Sequence, residues 1–218
     1  MKLLTWALDL IFPPKCPFCT RILENPREPL CPQCQPKLPW LTHKAALRRV
    51  EFTAGCCSPL LYKEQVRKCI HRYKFTRVRA YAKPLGTLMA QCIRDHGEIT
   101  PDVVTWVPLS RKRLRERGFD QARELAQVVG RELGIPVQAL LSKDRDTERQ
   151  SSMESDARRK ANVLGVYSLR PEADVQGKCV LVVDDVVTSG ATLSACAKVL
   201  DGAGAERIWC VTLAQAGN

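Results

Sequence analysis

The chain has 218 residues, a formal net charge of +11 and an ordinary hydrophobic fraction of 45%. This length suits one medium domain with a small attached module. The odd count of 11 cysteines argues against a fully paired disulfide framework. The positive charge favours acidic partners, such as phosphates, nucleic acid or an anionic membrane surface, without choosing among them.

The N-terminal segment, Met1 to Phe12, is mostly apolar. It is too short to span a bilayer, which needs about 20 residues. Asp9 interrupts it, Pro13 and Pro14 end it, and no small-residue cleavage site follows. We therefore expect a short packing helix rather than a signal peptide, no stable membrane insertion, and a cytoplasmic location.

Two Cys-x-x-Cys pairs follow, formed by Cys16 with Cys19 and by Cys31 with Cys34. Two such turns can place four thiolates around one tetrahedral Zn²⁺ with no open position, which predicts a structural zinc ribbon. The alternative is two redox-active pairs. The other cysteines lack ligand spacing and are predicted to be buried thiols in a reducing compartment: Cys56, Cys57, Cys69, Cys92, Cys179, Cys196 and Cys210.

The rest of the chain alternates strand-like and helix-like segments, which predicts an α/β domain. Residues 1–44 are assigned to an N-terminal helix and zinc ribbon, and residues 45–218 to this domain. The predicted strands lie within Phe52–Tyr62, Val103–Val107, Val180–Val183 and Ile208–Leu213. The predicted helices are Lys63–Phe75, Ala80–Asp95, Phe119–Leu133 and Gly190–Leu200.

The stretch from Arg67 to Lys83 carries cations without carboxylates, interleaved with Tyr73, Phe75 and Tyr81. This mixture suits single-stranded nucleic acid, which is bound by phosphate neutralisation and base stacking. A solvated helix face with aromatics in the core is an equally good interpretation. The cations are Arg67, Lys68, Arg72, Lys74, Arg77, Arg79 and Lys83.

A second basic segment follows the strand at Val103–Val107. We predict a loop at the sheet edge whose side chains could bind pyrophosphate, the alternative being a solvated basic face. Its cations are Arg111, Lys112, Arg113, Arg115 and Arg117. Further on, residues 142–162 are polar and too numerous for an ordinary connection, which predicts a functional loop or hood.

The most informative stretch runs from Val180 to Thr192. An apolar strand leads into Asp184 and Asp185, and a turn with hydroxyl groups and Gly190 then opens a helix. Backbone N–H groups at such a helix start form an anion-binding nest. The carboxylates suit sugar hydroxyls, or a Mg²⁺ that bridges hydroxyls and pyrophosphate. The alternative is an ordinary strand–turn–helix with two surface acids.

This stretch resembles the phosphoribosyl pyrophosphate (PRPP) motif of type I phosphoribosyltransferases. With the cysteine pairs, the Arg117–Gln121 run and the polar segment, nearly the whole chain resembles the ComF/GntX family. The resemblance implies a zinc ribbon joined to a phosphoribosyltransferase-like parallel-sheet domain, with a hood at about residues 142–167. It also implies that the two acids bind the ribose hydroxyls and that the turn binds the 5′-phosphate.

The resemblance and the chemistry together assign the candidate site. Asp184 and Asp185 are the candidate catalytic residues, and Mg²⁺ is expected to bind with PRPP. The expected PRPP-binding residues are Asp184, Asp185, Val187, Thr188, Ser189, Gly190, Ala191, Thr192, Arg111, Lys112, Arg115 and Arg117. The possible base or hood contacts are Gln121, Arg145, Thr147, Gln150 and Asn162, and Asp120 stands where the family usually has Asn.

Two functions follow from the resemblance. The first is a PRPP- or nucleotide-binding protein that acts in DNA uptake, competence or DNA utilisation, with single-stranded DNA and DNA-uptake proteins as partners. The second is an active phosphoribosyltransferase that transfers ribose 5-phosphate from PRPP to a base. Catalysis would then rest on orientation and electrostatic stabilisation. The sequence does not identify the base. A purely structural zinc adaptor is a third hypothesis.

Overall fold

The computed structural model describes residues 13–25, 27–76, 78–144 and 165–217. The predictions for Met1 to Phe12, for Arg77, and for the four hood residues Arg145, Thr147, Gln150 and Asn162 lie outside the described residues.

A mainly parallel sheet forms the centre of the domain. Its strands are β1 (Leu47–Arg48), β2 (Gly55–Cys57), β3 (Leu60–Leu61), β4 (Val103–Trp106), β7 (Cys179–Val187) and β8 (Arg207–Gln215). They run in the order β1-β2-β8-β7-β4, and β3 also pairs with β8. All of these pairings are parallel except that of β1 with β2. A separate antiparallel pair consists of β5 (Leu141–Lys143) and β6 (Tyr167–Leu169).

Five α-helices are described: α1 (Glu64–Phe75), α2 (Ala82–Arg94), α3 (Arg111–Arg117), α4 (Gln121–Leu133) and α5 (Ala191–Gly202). Short 3₁₀ turns lie at Gln35–Lys37, His43–Ala46 and Arg79–Tyr81.

Strand β7 places alternate side chains on the two faces of the sheet. Leu181 and Val183 belong to the hydrophobic core that contains α1, α2 and α4, whereas Val180 and Val182 belong to the core against α5. All four side chains are fully buried, and each such burial contributes about 1.5–3 kcal/mol. The strand is therefore held from both sides, which fixes the position of the residues that follow Val183.

The zinc-ribbon segment shares a core with α1. Phe18, Leu23 and Leu30 are buried in the same hydrophobic cluster as Val66 and Ile70. This agrees with a segment that has little core of its own and obtains its apolar contacts from the α/β domain. Within the described ranges, no helix is both long enough and apolar enough to cross a membrane.

The predicted α/β class, with a parallel sheet and an N-terminal four-cysteine ribbon, is confirmed. One local prediction is wrong, because Arg111–Arg117 forms helix α3 and not a loop. Ser110 Oγ accepts a hydrogen bond from Arg113 N at 3.3 Å and caps this helix, and Gly118 ends it in the left-handed region at φ 77°. Arginine and lysine are also good helix formers.

A second difference concerns the two acids. The predicted strand ended at Val183, but β7 continues to Val187, because its pairing with β8 extends to the register Val187↔Gln215. Asp184 and Asp185 therefore lie inside a paired strand. Their backbone is held by the sheet, which keeps both carboxyl groups in defined directions.

Candidate functional site

The two acids lie on opposite faces of β7 but line the same pocket. Asp184 is half-buried and Asp185 is 8% exposed. Asp184 Oδ1 accepts a hydrogen bond from Asp185 N at 2.8 Å. We call this cavity, of about 160 Å³, the acid-pair pocket. Its polar lining residues are Lys74, Arg113, Arg117, Gln121, Lys143, Tyr167, Asp184, Asp185 and Thr192.

A lysine from α1 neutralises one of the acids. Lys74 Nζ lies 2.8 Å from Asp185 Oδ1, and both side chains are largely shielded from solvent. The sequence placed Lys74 in the basic stretch considered for nucleic acid. The contact joins residues 111 positions apart, so local spacing carries no signal for it.

Arg117 of α3 extends the positive side of the pocket. Its Nη1 donates to Gln121 Oε1 at 2.8 Å. Gln121 is 1% exposed, and its Nε2 has no hydrogen-bond partner among the described residues. A buried amide nitrogen without an acceptor costs about 1–3 kcal/mol, so a bound ligand that offers an oxygen would recover that energy.

The turn after β7 leads into α5 at the edge of the pocket. Gly190 has φ 81°, a left-handed conformation that other residues adopt rarely, and a Cβ at this position would contact Val50. Ala191 N donates to Ser189 Oγ at 3.4 Å, and Thr192 lines the pocket. Thr192 and both acids therefore line one cavity, whereas the other predicted residues of the turn do not line it: Val187, Thr188, Ser189, Gly190 and Ala191.

Tyr167 and Lys143 close the pocket from the β5–β6 pair. Lys143 Nζ donates to Tyr167 Oη at 3.4 Å and lies 5.2 Å from the centre of its ring. Burial raises the pKa of Tyr167, so its hydroxyl stays protonated at neutral pH. Neither residue was assigned a binding role from the sequence, because only the fold brings β6 beside β7 and α5.

The pocket opposes ionisation of one acid. Burial and, to a smaller extent, the neighbouring Asp185 carboxylate raise the pKa of Asp184 to about 7, while Lys74 acts in the other direction. A carboxyl group with such a pKa is partly protonated at neutral pH. A cation or a hydroxyl donor at this position would favour its ionised form.

The cations predicted at 111–117 do not act as one group. Arg113 and Arg117 line the acid-pair pocket, whereas Arg111 lines a neighbouring groove beside Trp106. Lys112 and Arg115 are exposed and line none of the described pockets. A helix causes this division, because successive side chains point about 100° apart.

Asp120 has a structural role at the start of α4. Its Oδ1 accepts from Arg123 N at 3.1 Å, and its Oδ2 accepts from Trp106 Nε1 at 3.2 Å. The carboxylate thus caps the helix that carries Gln121. Burial raises the pKa of Asp120 above its ordinary value, although these hydrogen bonds act in the opposite direction.

The first basic stretch is partly structural. Arg72 Nη2 donates at 2.7 Å to both the Pro17 and the Phe18 carbonyl oxygen, which connects α1 to the first cysteine pair. Tyr73 and Tyr81 are buried core residues, whereas Phe75 is 47% exposed. Of the aromatics in this stretch, Phe75 alone could stack on a ligand without repacking of the core.

The four predicted zinc ligands converge. The Sγ atoms of Cys16, Cys19, Cys31 and Cys34 all lie within 4.8 Å of one another. No other group of three or more potential ligands is this close within the described part of the chain. The set of four sulfurs fits a tetrahedral structural Zn²⁺ and leaves no open position. The remaining cysteines named above are unpaired, and all but the half-buried Cys179 are buried.

Comparisons with known proteins agree with both parts of the chain. The phosphoribosyl transferase domain matches residues 74–218, and the double zinc ribbon domain matches residues 7–47. The DNA utilization protein YhgH of Salmonella typhi is 32% identical over 211 residues, covering 90% of this chain and 88% of the relative. The chain belongs to the ComF/GntX family.

Two other similar proteins have lower sequence identity. Competence protein F of Haemophilus influenzae is 28% identical, covering 93% of this chain and 97% of the relative. Among solved structures, the glutamine PRPP amidotransferase from Bacillus subtilis is 29% identical, covering 60% of this chain and 25% of that chain, with a TM-score of 0.41.

Proposed function

We propose that the acid-pair pocket binds Mg²⁺-PRPP or a related phosphorylated ribose. The observation that carries this proposal is that one cavity is lined by two carboxylates, a helix-start threonine and several cations. The cations alone would suit any phosphate. The carboxylates would repel a bare phosphate, so their presence favours a ligand that also offers hydroxyls or a divalent cation.

In this proposal, different residues of the site bind different parts of the ligand. Asp184 and Asp185 accept hydrogen bonds from the ribose hydroxyls and can hold Mg²⁺, whose preferred ligands are oxygens. The turn from Thr188 to Thr192 binds the 5′-phosphate through its backbone N–H groups. Arg113 and Arg117 face the pyrophosphate, and the unpaired Gln121 Nε2 donates to a ligand oxygen.

Calorimetry tests the binding proposal. We expect Mg²⁺-PRPP to bind the wild-type chain, and the double variant Asp184→Asn, Asp185→Asn to lose at least about tenfold in affinity, since hydrogen bonds to charged groups contribute about 1.5–3 kcal/mol each. Asp201→Asn is the matched control, because Asp201 is an exposed acid on α5 outside the pocket. Equal affinities for wild type and the double variant would refute the proposal.

Transfer chemistry is a second candidate. In such a reaction a base nitrogen attacks the anomeric carbon, the bond to pyrophosphate breaks, and the leaving group takes both electrons of that bond. The cations Lys74, Arg113 and Arg117 beside the acids favour this candidate, because they could stabilise the departing pyrophosphate. Release of pyrophosphate when a base panel is added to protein and Mg²⁺-PRPP would support it.

We also propose that the protein acts in DNA uptake or DNA utilisation, as the names of its relatives suggest. Exposed cations on the three helices α1, α2 and α3 support contact with a single-stranded nucleic acid. They are Arg67, Lys68, Lys83, Arg111, Lys112 and Arg115. Binding of single-stranded DNA should weaken steeply with salt, and binding that does not change with salt would contradict this proposal.

A further inference from the structure

A second cavity adjoins the acid-pair pocket on the side of α1. It has a volume of about 420 Å³ and shares Lys74, Arg113 and Arg117 with the acid-pair pocket. Its other lining residues include Phe75, His71 and Tyr62. We call it the Phe75 pocket. A ligand bound at the two acids can therefore extend directly into an adjoining space that is lined by aromatic side chains.

The acid-pair pocket is smaller than a usual small-molecule site, so a ligand bound there would extend into an adjoining cavity. Small-molecule sites usually enclose about 300–1,000 Å³. The acid-pair pocket alone, at about 160 Å³, is below that range, and the Phe75 pocket, at about 420 Å³, brings the combined space into it. A ligand confined to the acids would use only the smaller part.

Phe75 is unusually exposed for an aromatic residue next to a hydrophobic core. It is the last residue of α1 and is 47% exposed, although Tyr73 two residues earlier is fully buried. The His71 ring lies 4.6 Å from the Phe75 ring, and Arg117 Cζ lies 5.7 Å from its centre. An imidazole and a guanidinium thus hold the ring in the wall of the Phe75 pocket, and the same guanidinium also lines the acid-pair pocket. An exposed aromatic surface in a cationic pocket is suited to stacking with a flat, phosphate-bearing ligand.

We propose that the Phe75 pocket binds the nucleobase of a nucleotide whose ribose phosphate occupies the acid-pair pocket. This rests on the proposed phosphoribosyl site and specifies its ligand class as nucleotides, or PRPP together with a base. Stacking on Phe75 tolerates any base, since every base has a π face, and Arg117 joins the two halves of the site. The base thereby lies against α1, whereas the sequence placed its possible contacts at Gln121 and in the hood.

The experiment measures the contribution of the base directly. Calorimetry compares ribose 5-phosphate with adenosine 5′-monophosphate, both with Mg²⁺, on wild type and on Phe75→Ala. In wild type the nucleotide should bind at least about fivefold more tightly, because base–aromatic stacking contributes about 1–3 kcal/mol. We call the affinity of the nucleotide divided by that of ribose 5-phosphate the affinity ratio. Phe75→Ala should lower this ratio to nearly one and leave the affinity for ribose 5-phosphate unchanged.

Two further variants serve as controls. Phe75→Leu keeps apolar bulk and should lose most of the ratio if stacking is responsible. Phe52→Ala is the matched control, because Phe52 is also 47% exposed, has Lys198 Nζ 5.7 Å from its ring centre, and lines none of the described pockets. This variant should keep the full ratio, and thermal melts confirm that each variant is folded.

The outcomes separate this inference from the function on which it depends. If ribose 5-phosphate binds but the affinity ratio is near one in wild type, the base subsite is overturned. The same holds if Phe75→Ala leaves the ratio unchanged. Absence of binding by ribose 5-phosphate, PRPP and the nucleotide overturns both. A ratio that falls equally in Phe52→Ala would show a general loss of structure and would also overturn the assignment to Phe75.

Discussion

The cysteine cluster and the acid-pair pocket are two polar sites with opposite physical characters. The cluster brings together four groups of one kind, three of them at most 4% exposed, from two short turns. The pocket brings together opposite charges from four separate parts of the chain, α1, α3, β5 and β7, and remains open to solvent. The first site suits a stabilising ion, whereas the second holds Asp184 in an environment that disfavours its charge. The difference indicates that the ribbon stabilises the fold, whereas the pocket lowers the stability of the fold in order to bind a ligand.

The largest effect should come from breaking the cluster. Cys31→Ser removes one of four thiolates, so zinc content should fall from about one ion per chain to nearly none, since structural Zn²⁺ sites require all their ligands. Because structural zinc contributes about 10–16 kcal/mol in small zinc modules, the ribbon should unfold. Metal analysis and thermal melts measure this. Cys179→Ser is the control, and retention of zinc by Cys31→Ser would contradict the assignment.

The next effect should come from the contact between the two regions. Arg72→Ala removes the hydrogen bonds to the Pro17 and Phe18 carbonyl oxygens, and we expect the free energy of unfolding to fall by about 2 kcal/mol. Chemical denaturation measures it. Lys68→Ala, an exposed cation on the same helix, should change stability by less than about 0.5 kcal/mol. Equal effects of the two substitutions would show that the contact contributes nothing specific.

The pocket should respond to pH in a direction set by Asp184. Its folded-state pKa of about 7 means that ligand binding to the ionised carboxylate releases a proton below that pH. The affinity for Mg²⁺-PRPP should therefore fall by up to about tenfold for each pH unit below 7, and level off above it. Calorimetry from pH 5.5 to 8.5 measures the profile. A flat profile would mean that Asp184 does not bind the ligand in its ionised form.

The smallest effect should come from Asp184→Asn, measured as a change in the free energy of unfolding. It is also the most discriminating, because this substitution should stabilise the protein whereas most substitutions destabilise it. A carboxyl group with a raised folded-state pKa opposes folding once the pH exceeds its unfolded value of about 4, and does so fully above about 7. Asp184→Asn should therefore raise the free energy of unfolding at pH 8 and have little effect at pH 4. We expect an increase of roughly 1 kcal/mol, well below the full value for the pKa difference, because the half-buried side chain is partly screened by solvent. Denaturation at the two pH values tests this. Destabilisation at pH 8 would show that the carboxylate stabilises the fold.

The same two regions show which features could be predicted from the sequence. Cys16, Cys19, Cys31 and Cys34 follow from spacing alone, because each pair is one local turn. Asp184 and the turn at Gly190 follow for the same reason, since strand, acids and helix start are consecutive. Local patterns also predict every helix of the described α/β domain except α3, whose cap at Ser110 was overlooked.

The remaining site residues depend on contacts that no local pattern contains. Lys74 reaches Asp185 across 111 positions, and Tyr167 meets the acids only because β6 packs beside α5. The contact between the Phe75 ring and Arg117 likewise joins α1 to α3 across the chain. Such pairings depend on the tertiary fold, and for that reason the sequence placed Lys74 among nucleic-acid contacts and Lys112 and Arg115 at the pocket.

A crystal structure with bound Mg²⁺-PRPP tests the central claim most directly. It should place the ribose hydroxyls within about 3 Å of the Asp184 and Asp185 carboxylates, and the 5′-phosphate on the backbone N–H groups of Ser189 to Thr192. A ligand bound elsewhere, or a phosphoribosyl group with its hydroxyls directed away from both acids, would contradict the account.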